Sequence, residues 1–192
     1  MTTENLKATD VISSGLTCSA TSGEGASATG IFKIECFGKD GTLKWEAESK
    51  NLVVNVGLAY MAGSALTAVT PVTAWFLGLY GAGASNNPAA GDTMPSHAGW
   101  TEVLDYSEAN RVAATFATAT TANPSVVTNT ANRASFTING TATVGGAFLT
   151  SSNTKNGTTG TLFSAADFGS PGDRSVVSGD SLAVTYTFSL AG

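Results

Sequence analysis

The residue types that could perform acid–base or metal chemistry gather in one segment, Gly91 to Arg111, which we call the polar loop. It contains His97, the only histidine of the sequence. Its acidic residues are Asp92, Glu102, Asp105 and Glu108. A metal site would need the imidazole and two carboxylates to converge on one ion at about 2.0–2.2 Å, but their spacing matches no ligand template. We therefore expect Trp100 and Tyr106 to anchor the loop, and its carboxylates to be solvated or to pair with Arg111.

The sequence evidence for a nucleophilic, phosphate-binding or cysteine-based site is weaker still. No serine lies in a Gly-x-Ser-x-Gly motif, and a single histidine far from either cysteine leaves no evident base for a nucleophile. The segment from Gly25 to Gly30 lacks the Lys-Ser/Thr of a phosphate-binding loop. Cys18 and Cys36 lack metal-site spacing and are expected to be reduced, a disulfide between them being the minor alternative. The residues thus predict no catalytic, cofactor or metal site, and no enzyme.

The composition favours a structural role. Charged residues make up 12% of the chain, against about 25% in an ordinary soluble domain. Between Arg111 and Asp173 the charged residues are Arg133, Lys155 and Asp167 alone. Such a surface repels its neighbours weakly and suits a protein packed into an assembly. The net charge of -5 argues against a nucleic-acid partner, and the absence of a long apolar run argues against a membrane partner.

Alternating apolar and charged residues predict a β-hairpin from Ile31 to Glu48. Phe32, Ile34 and Cys36 share one face of its first strand, so we expect them to be buried. Gly38 to Gly41 supplies the turn. The apolar face of the second strand consists of Leu43, Trp45 and Ala47.

One short amphipathic helix is predicted between Asn51 and Leu66. Its apolar residues recur at spacings of three and four: Leu52, Val53, Val56, Tyr60 and Met61. Asn51 or Asn55 is the expected cap, and Gly57 and Gly63 lower the helix propensity. After it, residues 73–80 are apolar on both faces, which is typical of a central strand covered on each side.

The C-terminal half predicts many short strands. Their expected ranges are Arg111 to Thr118, Arg133 to Asn139, Thr143 to Thr150, Gly160 to Ser164, Arg174 to Val177 and Ser181 to Leu190. Asn139-Gly140 and Asn156-Gly157 supply positive-φ positions for tight hairpins, and Gly179-Asp180 reverses the chain into the last strand. Both Asn-Gly-Thr sequences match a glycosylation acceptor but are interpreted as turns.

These elements predict an all-β fold: a β-sandwich or jelly-roll-like domain over residues 30–192 with one short helix. Residues 1–29 are expected to form an extended, flexible N-terminal arm. The arm is poor in apolar residues, so it would become ordered only against a partner surface. The alternative is that this segment is a flexible terminus with no binding function.

Several stretches resemble small structural proteins encoded by tailed bacteriophages. In the first half they are Asn51-Leu52-Val53-Val54-Asn55, Trp75 to Tyr80, Ser96 to Glu102, Tyr106-Ser107-Glu108 and Arg111. In the second half they are Ala134 to Asn139, Thr143 to Thr150 and Val177 to Tyr186. The resemblance covers roughly Asn51 to Leu190 and brings no catalytic residue with it.

Within that group we expect a capsid decoration, or cement, protein. The resemblance then implies the major capsid protein as partner, a homo-oligomer on the icosahedral shell, synthesis in the bacterial cytoplasm and a final location on the capsid surface of the virion. A phage tail or receptor-binding component is one alternative. A carbohydrate-binding β-sandwich module is another, with Trp100 as its stacking platform because Trp45 and Trp75 are expected to be buried.

Overall fold

The computed structural model describes residues 25–81, 87–169 and 172–192. Most of the predicted arm, residues 1–24, lies outside the described residues. The first strand begins at Ser27, so the last three residues assigned to the arm belong to the sheet instead.

The described chain is all-β with a single short α-helix, as predicted. Its elements in chain order are β1 (Ser27–Phe37), β2 (Leu43–Lys50), β3 (Leu52–Val53), α1 (Asn55–Leu66), β4 (Trp75–Gly81), β5 (Val112–Ala114), β6 (Ser125–Thr128), a 3₁₀ turn (Thr130–Asn132), β7 (Ala134–Thr137), β8 (Ala142–Thr150), β9 (Leu162–Asp167), β10 (Arg174–Val176) and β11 (Ser181–Ala191).

Two antiparallel sheets form a sandwich. The first has the strand order β2-β1-β11-β6, and β7 also pairs with β11. The second has the order β3-β9-β8-β4-β5, and β10 also pairs with β8. The predicted hairpin is confirmed as β1 and β2, with Gly41 at φ 79 in the turn. The predicted strand over residues 73–80 is confirmed as β4, which has a partner on each side.

The core lies between the inner faces of the two sheets. From the first sheet it receives Phe32, Ile34, Cys36, Leu182, Val184 and Tyr186, and from the second Leu77, Leu79, Val144, Leu149 and Phe163. Tyr186 also links the sheets through polar contacts, because its hydroxyl lies 2.7 Å from Asn51 Nδ2 and 3.2 Å from Ser164 Oγ. The predicted burial of Phe32, Ile34 and Cys36 is confirmed.

The helix forms where predicted, but its start was misassigned. Val54 is the N-cap, no side chain caps the helix, and Asn55 is its first residue. Asn51 instead donates its amide to Tyr186. Gly57 is the one buried residue of α1. A Cβ atom at this position would lie only 2.2 Å from the carbonyl oxygen of Phe163, so no larger residue fits without a shift of the backbone. The glycine therefore lets the helix backbone approach β9 closely.

The predicted turns divide into two outcomes. Asn156 has φ 54 and Gly179 has φ 96 before β11, as expected, but the connection between β8 and β9 spans residues 151–161 and is not a tight hairpin. The Asn139-Gly140 hairpin is wrong, because this link carries the chain from β7 in the first sheet to β8 in the second. The strand expected over residues 111–118 is reduced to Val112–Ala114, and β3 and β6 were missed.

Candidate functional site

The polar loop is fixed to the sandwich along much of its length. Gly81 donates its N–H to the carbonyl of Thr101 at 2.7 Å, and Val103 donates to Leu79 at 2.8 Å, so the loop lies alongside β4. Tyr106 forms a bridge with Ile138. These backbone contacts give the acidic residues defined positions, which the sequence did not predict.

Glu102 and Arg111 form a buried ion pair at the base of the loop. Arg111 Nε and Nη2 lie 2.9 and 2.8 Å from the two carboxylate oxygens, and the two side chains are 4% and 1% exposed. Arg111 also donates to the carbonyls of Ser152 and Gly157, each at 3.0 Å. Asn156 donates its backbone N–H to Glu102 at 2.7 Å. The predicted pairing with Arg111 is confirmed, and the pair holds the β8–β9 connection in place.

His97 is held by Trp100. The two rings stack with centroids 3.8 Å apart, and His97 Nδ1 donates to the Trp100 carbonyl at 3.0 Å. Trp100 in turn donates its indole N–H to Asp92 at 3.1 Å, and the same carboxylate oxygen accepts the N–H of Ala89 at 3.0 Å. His97 and Asp92 therefore serve to position the buried indole.

The other end of the loop is anchored by Tyr106. Lys155 donates to the Tyr106 carbonyl at 2.6 Å and lies 3.5 Å from the centre of its ring. Burial lowers the pKa of Lys155 and raises that of Tyr106. Both carboxylate oxygens of Glu108 lie 3.1 Å from the N–H of Thr137. The predicted anchoring by Trp100 and Tyr106 is confirmed, since both are buried.

A crevice of about 400 Å³ lies beside these residues. Its lining includes His97, Trp100, Glu102 and Arg111, all of which already have internal partners. In the part of the chain that the structure describes, no three His, Cys, Asp or Glu side chains are placed to hold an ion.

The cysteines give no reactive site among the described residues. Cys36 is fully buried in the core, where burial raises the pKa of its thiol to about 11, so the thiolate is disfavoured at neutral pH. Cys18 lies outside the described residues.

The burial of the three tryptophans bears on the carbohydrate-binding alternative. Trp100, the stacking platform that this alternative would require, is only 3% exposed, because Tyr80 and Phe148 pack around it with ring centroids 5.1 and 5.2 Å away. Trp45 and Trp75, expected to be buried, are half-buried. Trp100 is therefore not available for stacking on a sugar ring.

A different region carries exposed apolar surface. Between Lys50 and Asp92 the sequence contains no charged residue, and α1 lies within this stretch. Leu58, Leu66 and Val69 are 44%, 86% and 44% exposed. We call these three side chains the α1 surface. Sequence reasoning missed it because helical spacing suggested a buried stripe, although the long gap between charges was visible.

An aromatic cleft lies beside α1, which contributes Tyr60 and Met61 to its lining. It has a volume of about 200 Å³ and is lined by Tyr60, Met61, Trp75, Phe116, Val127, Leu149, Phe163, Tyr186 and Phe188. Rings of Tyr60 and Phe163 both lie 5.3 Å from that of Trp75, centroid to centroid. The Tyr60 hydroxyl accepts the N–H of Val72 at 2.8 Å, and that of Tyr186 has partners within the core. The cleft is thus an apolar space.

No protein-family model matches the chain, and no curated protein or solved structure matches it either. Among the described residues, no helix has both the length and the apolar character needed to cross a bilayer.

Proposed function

We propose that this chain is a capsid decoration, or cement, protein of a tailed bacteriophage. It binds the outer surface of the head and stabilises contacts between major capsid subunits. The sequence resemblance over Asn51 to Leu190 gives the class of protein. The observation that carries the proposal is the α1 surface, where three large aliphatic side chains are exposed on an uncharged segment.

Exposed aliphatic side chains of this kind favour attachment to another protein. Large apolar patches exposed on a folded domain mark interaction sites, and Leu58, Leu66 and Val69 lie within residues 58–69, a stretch without charged residues. Fully burying an exposed Leu or Val side chain contributes about 1.5–3 kcal/mol. Leu66 is 86% exposed and Leu58 and Val69 are 44% exposed, so covering all three supplies roughly 2–5 kcal/mol per copy before the costs of association.

The capsid shell repeats this modest contact at every equivalent site. A ligand that binds only the assembled shell stabilises it by mass action, and the effect is repeated at every equivalent site. The low charge of the chain, 12% of its residues, keeps repulsion between neighbouring copies weak. If copies also contact one another, a local twofold or threefold axis of the shell is the natural arrangement.

The polar loop supports an adhesive function rather than a catalytic one. Glu102 and Arg111 bind each other and backbone groups of the connection between β8 and β9, and Glu108 accepts the backbone N–H of Thr137 in β7. Groups saturated in this way stiffen the scaffold that presents the α1 surface.

The proposal is tested by fractionating particles from the bacterium that carries the gene. Full heads, empty heads and detached tails are separated, and this chain is quantified in each by mass spectrometry. We expect it in the head fractions, on expanded but not immature heads, and we expect heads that lack it to release DNA at a lower temperature. Recovery only with detached tails would reject the proposal in favour of a tail component.

A further inference from the structure

We propose that residues 11–23 bind the aromatic cleft of the same chain, with Val11 and Ile12 as the anchor. This inference concerns the chain alone and does not depend on capsid attachment. The partner surface expected for the arm is then built into the sandwich itself.

The cleft has the size and chemistry for an aliphatic anchor. An apolar cavity of about 150 Å³ holds a benzene molecule, so a space of about 200 Å³ has room for a branched side chain. Its tyrosine hydroxyls already have partners, so the cleft offers a ligand almost no free polar group. Tyr60, Met61, Trp75 and Phe188 remain only half-buried, and an occupant would cover them.

The chain enters the sandwich next to this cleft. Ser27 pairs with Ala191, and Gly30 pairs with Phe188, whose ring lines the cleft. Strands rise about 3.3 Å per residue, so the entry point lies about 10 Å along the sheet from Phe188. Ala28 already packs against the core from the inner face of β1. An extended chain spans up to about 3.3–3.6 Å per residue, so Ile12 is well within reach.

The residue types of this stretch match the cleft. Residues 11–23 contain no charged side chain, and Asp10 and Glu24 flank them. Val11 and Ile12 are the only two adjacent large aliphatic residues in the 24 that precede Gly25. Ser, Thr, Gly and Ala make up most of the rest, which suits a segment that lies over an uncharged surface without burying an ion.

Isoleucine methyl NMR on the full chain tests the proposal. The isoleucines are Ile12, Ile31, Ile34 and Ile138, so the labelled spectrum has few signals to assign. We expect the Ile12 methyl signal to be displaced by ring currents and to show NOEs to ring protons of Trp75, Phe163 or Phe188. An Ile12 signal at the position of a free peptide, without such NOEs, would overturn the proposal.

Two variants at residues that precede the described part of the chain keep the test independent of substitutions in the sandwich. Ile12→Ser should move the indole N–H signal of Trp75 and leave those of Trp45 and Trp100 in place. Leu6→Ser, the matched control beyond the uncharged stretch, should move none of them. Isotope-filtered NOEs between the Ile12 methyl group and the ring protons of Trp75, Phe163 or Phe188 should be absent in a mixture of labelled and unlabelled chains, and such intermolecular NOEs would overturn the assignment to the same chain.

Discussion

The polar loop and the α1 surface differ in how many of their side chains already contact other groups of the same chain. The polar loop has most of the residue types that perform chemistry, yet Glu102, Arg111 and Asp92 are all bound to groups of the same chain. The α1 surface has no titratable group, yet Leu66 is 86% exposed. The difference teaches that residue type alone does not locate an interaction surface, because Glu102, Arg111 and Asp92 are already bonded within the chain whereas Leu66 is exposed.

The largest expected effect lies in the polar loop, at Arg111→Met. The substitution leaves the Glu102 carboxylate buried without its partner, which typically costs about 3–5 kcal/mol of unfolding free energy. Urea unfolding measures the loss. Arg133→Met is the matched control, because Arg133 pairs with Glu35 at the surface and should cost no more than about 1 kcal/mol. Equal losses of unfolding free energy in the two variants would contradict the claim that the buried Glu102–Arg111 pair stabilises the fold more than a surface ion pair does.

The next effect concerns how α1 is held. Gly57→Ala should lower the unfolding free energy by about 1–3 kcal/mol, since its Cβ would lie 2.2 Å from the Phe163 carbonyl oxygen. Gly63→Ala is the control within the same helix. Its Cβ meets the end of the Val69 side chain, which can rotate, and the alanine gains helix propensity of up to about 1 kcal/mol. A stability loss for Gly63→Ala as large as that for Gly57→Ala would contradict the claim that Gly57 is needed for the close packing of α1 on β9.

The pH dependence of stability also separates the two kinds of contact. Hydrogen bonds to a carboxylate weaken when the carboxylate is protonated, whereas apolar packing does not depend on pH. Asp180 accepts from Lys44 at 2.6 Å and from the Val177 N–H at 3.0 Å. Burial alone would raise the pKa of Asp180, but these two hydrogen bonds outweigh it and the pKa lies below its ordinary value. A lowered folded pKa stabilises the fold above the unfolded value of about 3.9, and the stabilisation is lost as pH falls through the folded pKa.

Asp180→Asn should therefore be less stable than wild type at neutral pH, and the difference should shrink towards about pH 2. Denaturant unfolding at several pH values measures it. The deficit of Gly57→Ala, a packing defect, should stay nearly constant over the same range. A pH-independent deficit for Asp180→Asn would show that its carboxylate charge is not what anchors this turn.

The smallest effect on stability is expected at the α1 surface. Leu58→Asp and Leu66→Asp should each change the unfolding free energy by no more than about 0.5 kcal/mol, because both side chains are exposed. Leu104→Asp is a matched control in the polar loop, where Leu104 is 42% exposed. Thermal unfolding checks all three. A large loss for either α1 variant would mean that these side chains serve the fold.

Much of the sandwich was predictable because its strands follow simple alternation. Leu182, Val184 and Tyr186 alternate along β11, which places them on one face, and all three are buried. Beyond them Phe188 is half-buried and Leu190 is 41% exposed, since the sandwich opens at that end. Sequence alternation shows which face points inward but not where the opposite sheet stops.

The errors arose where tertiary contacts override local pattern. The carbohydrate-binding alternative required an exposed Trp100, but Asp92 eight residues earlier accepts its indole N–H and the ring is buried. β6 was missed because Ser125–Thr128 is short and gains strand structure only by pairing with β11. Asn51 has the residue type of a helix cap, yet Tyr186, distant in sequence, takes its amide.

The most direct test of the central claim is binding of the purified chain to heads that lack it, measured by co-sedimentation. Wild type and Leu104→Asp should bind alike, and Leu58→Asp and Leu66→Asp should each bind at least about tenfold more weakly, since a buried leucine contributes about 1.5–3 kcal/mol. Undiminished binding by both α1 variants, or a comparable loss with Leu104→Asp, would contradict attachment through the α1 surface.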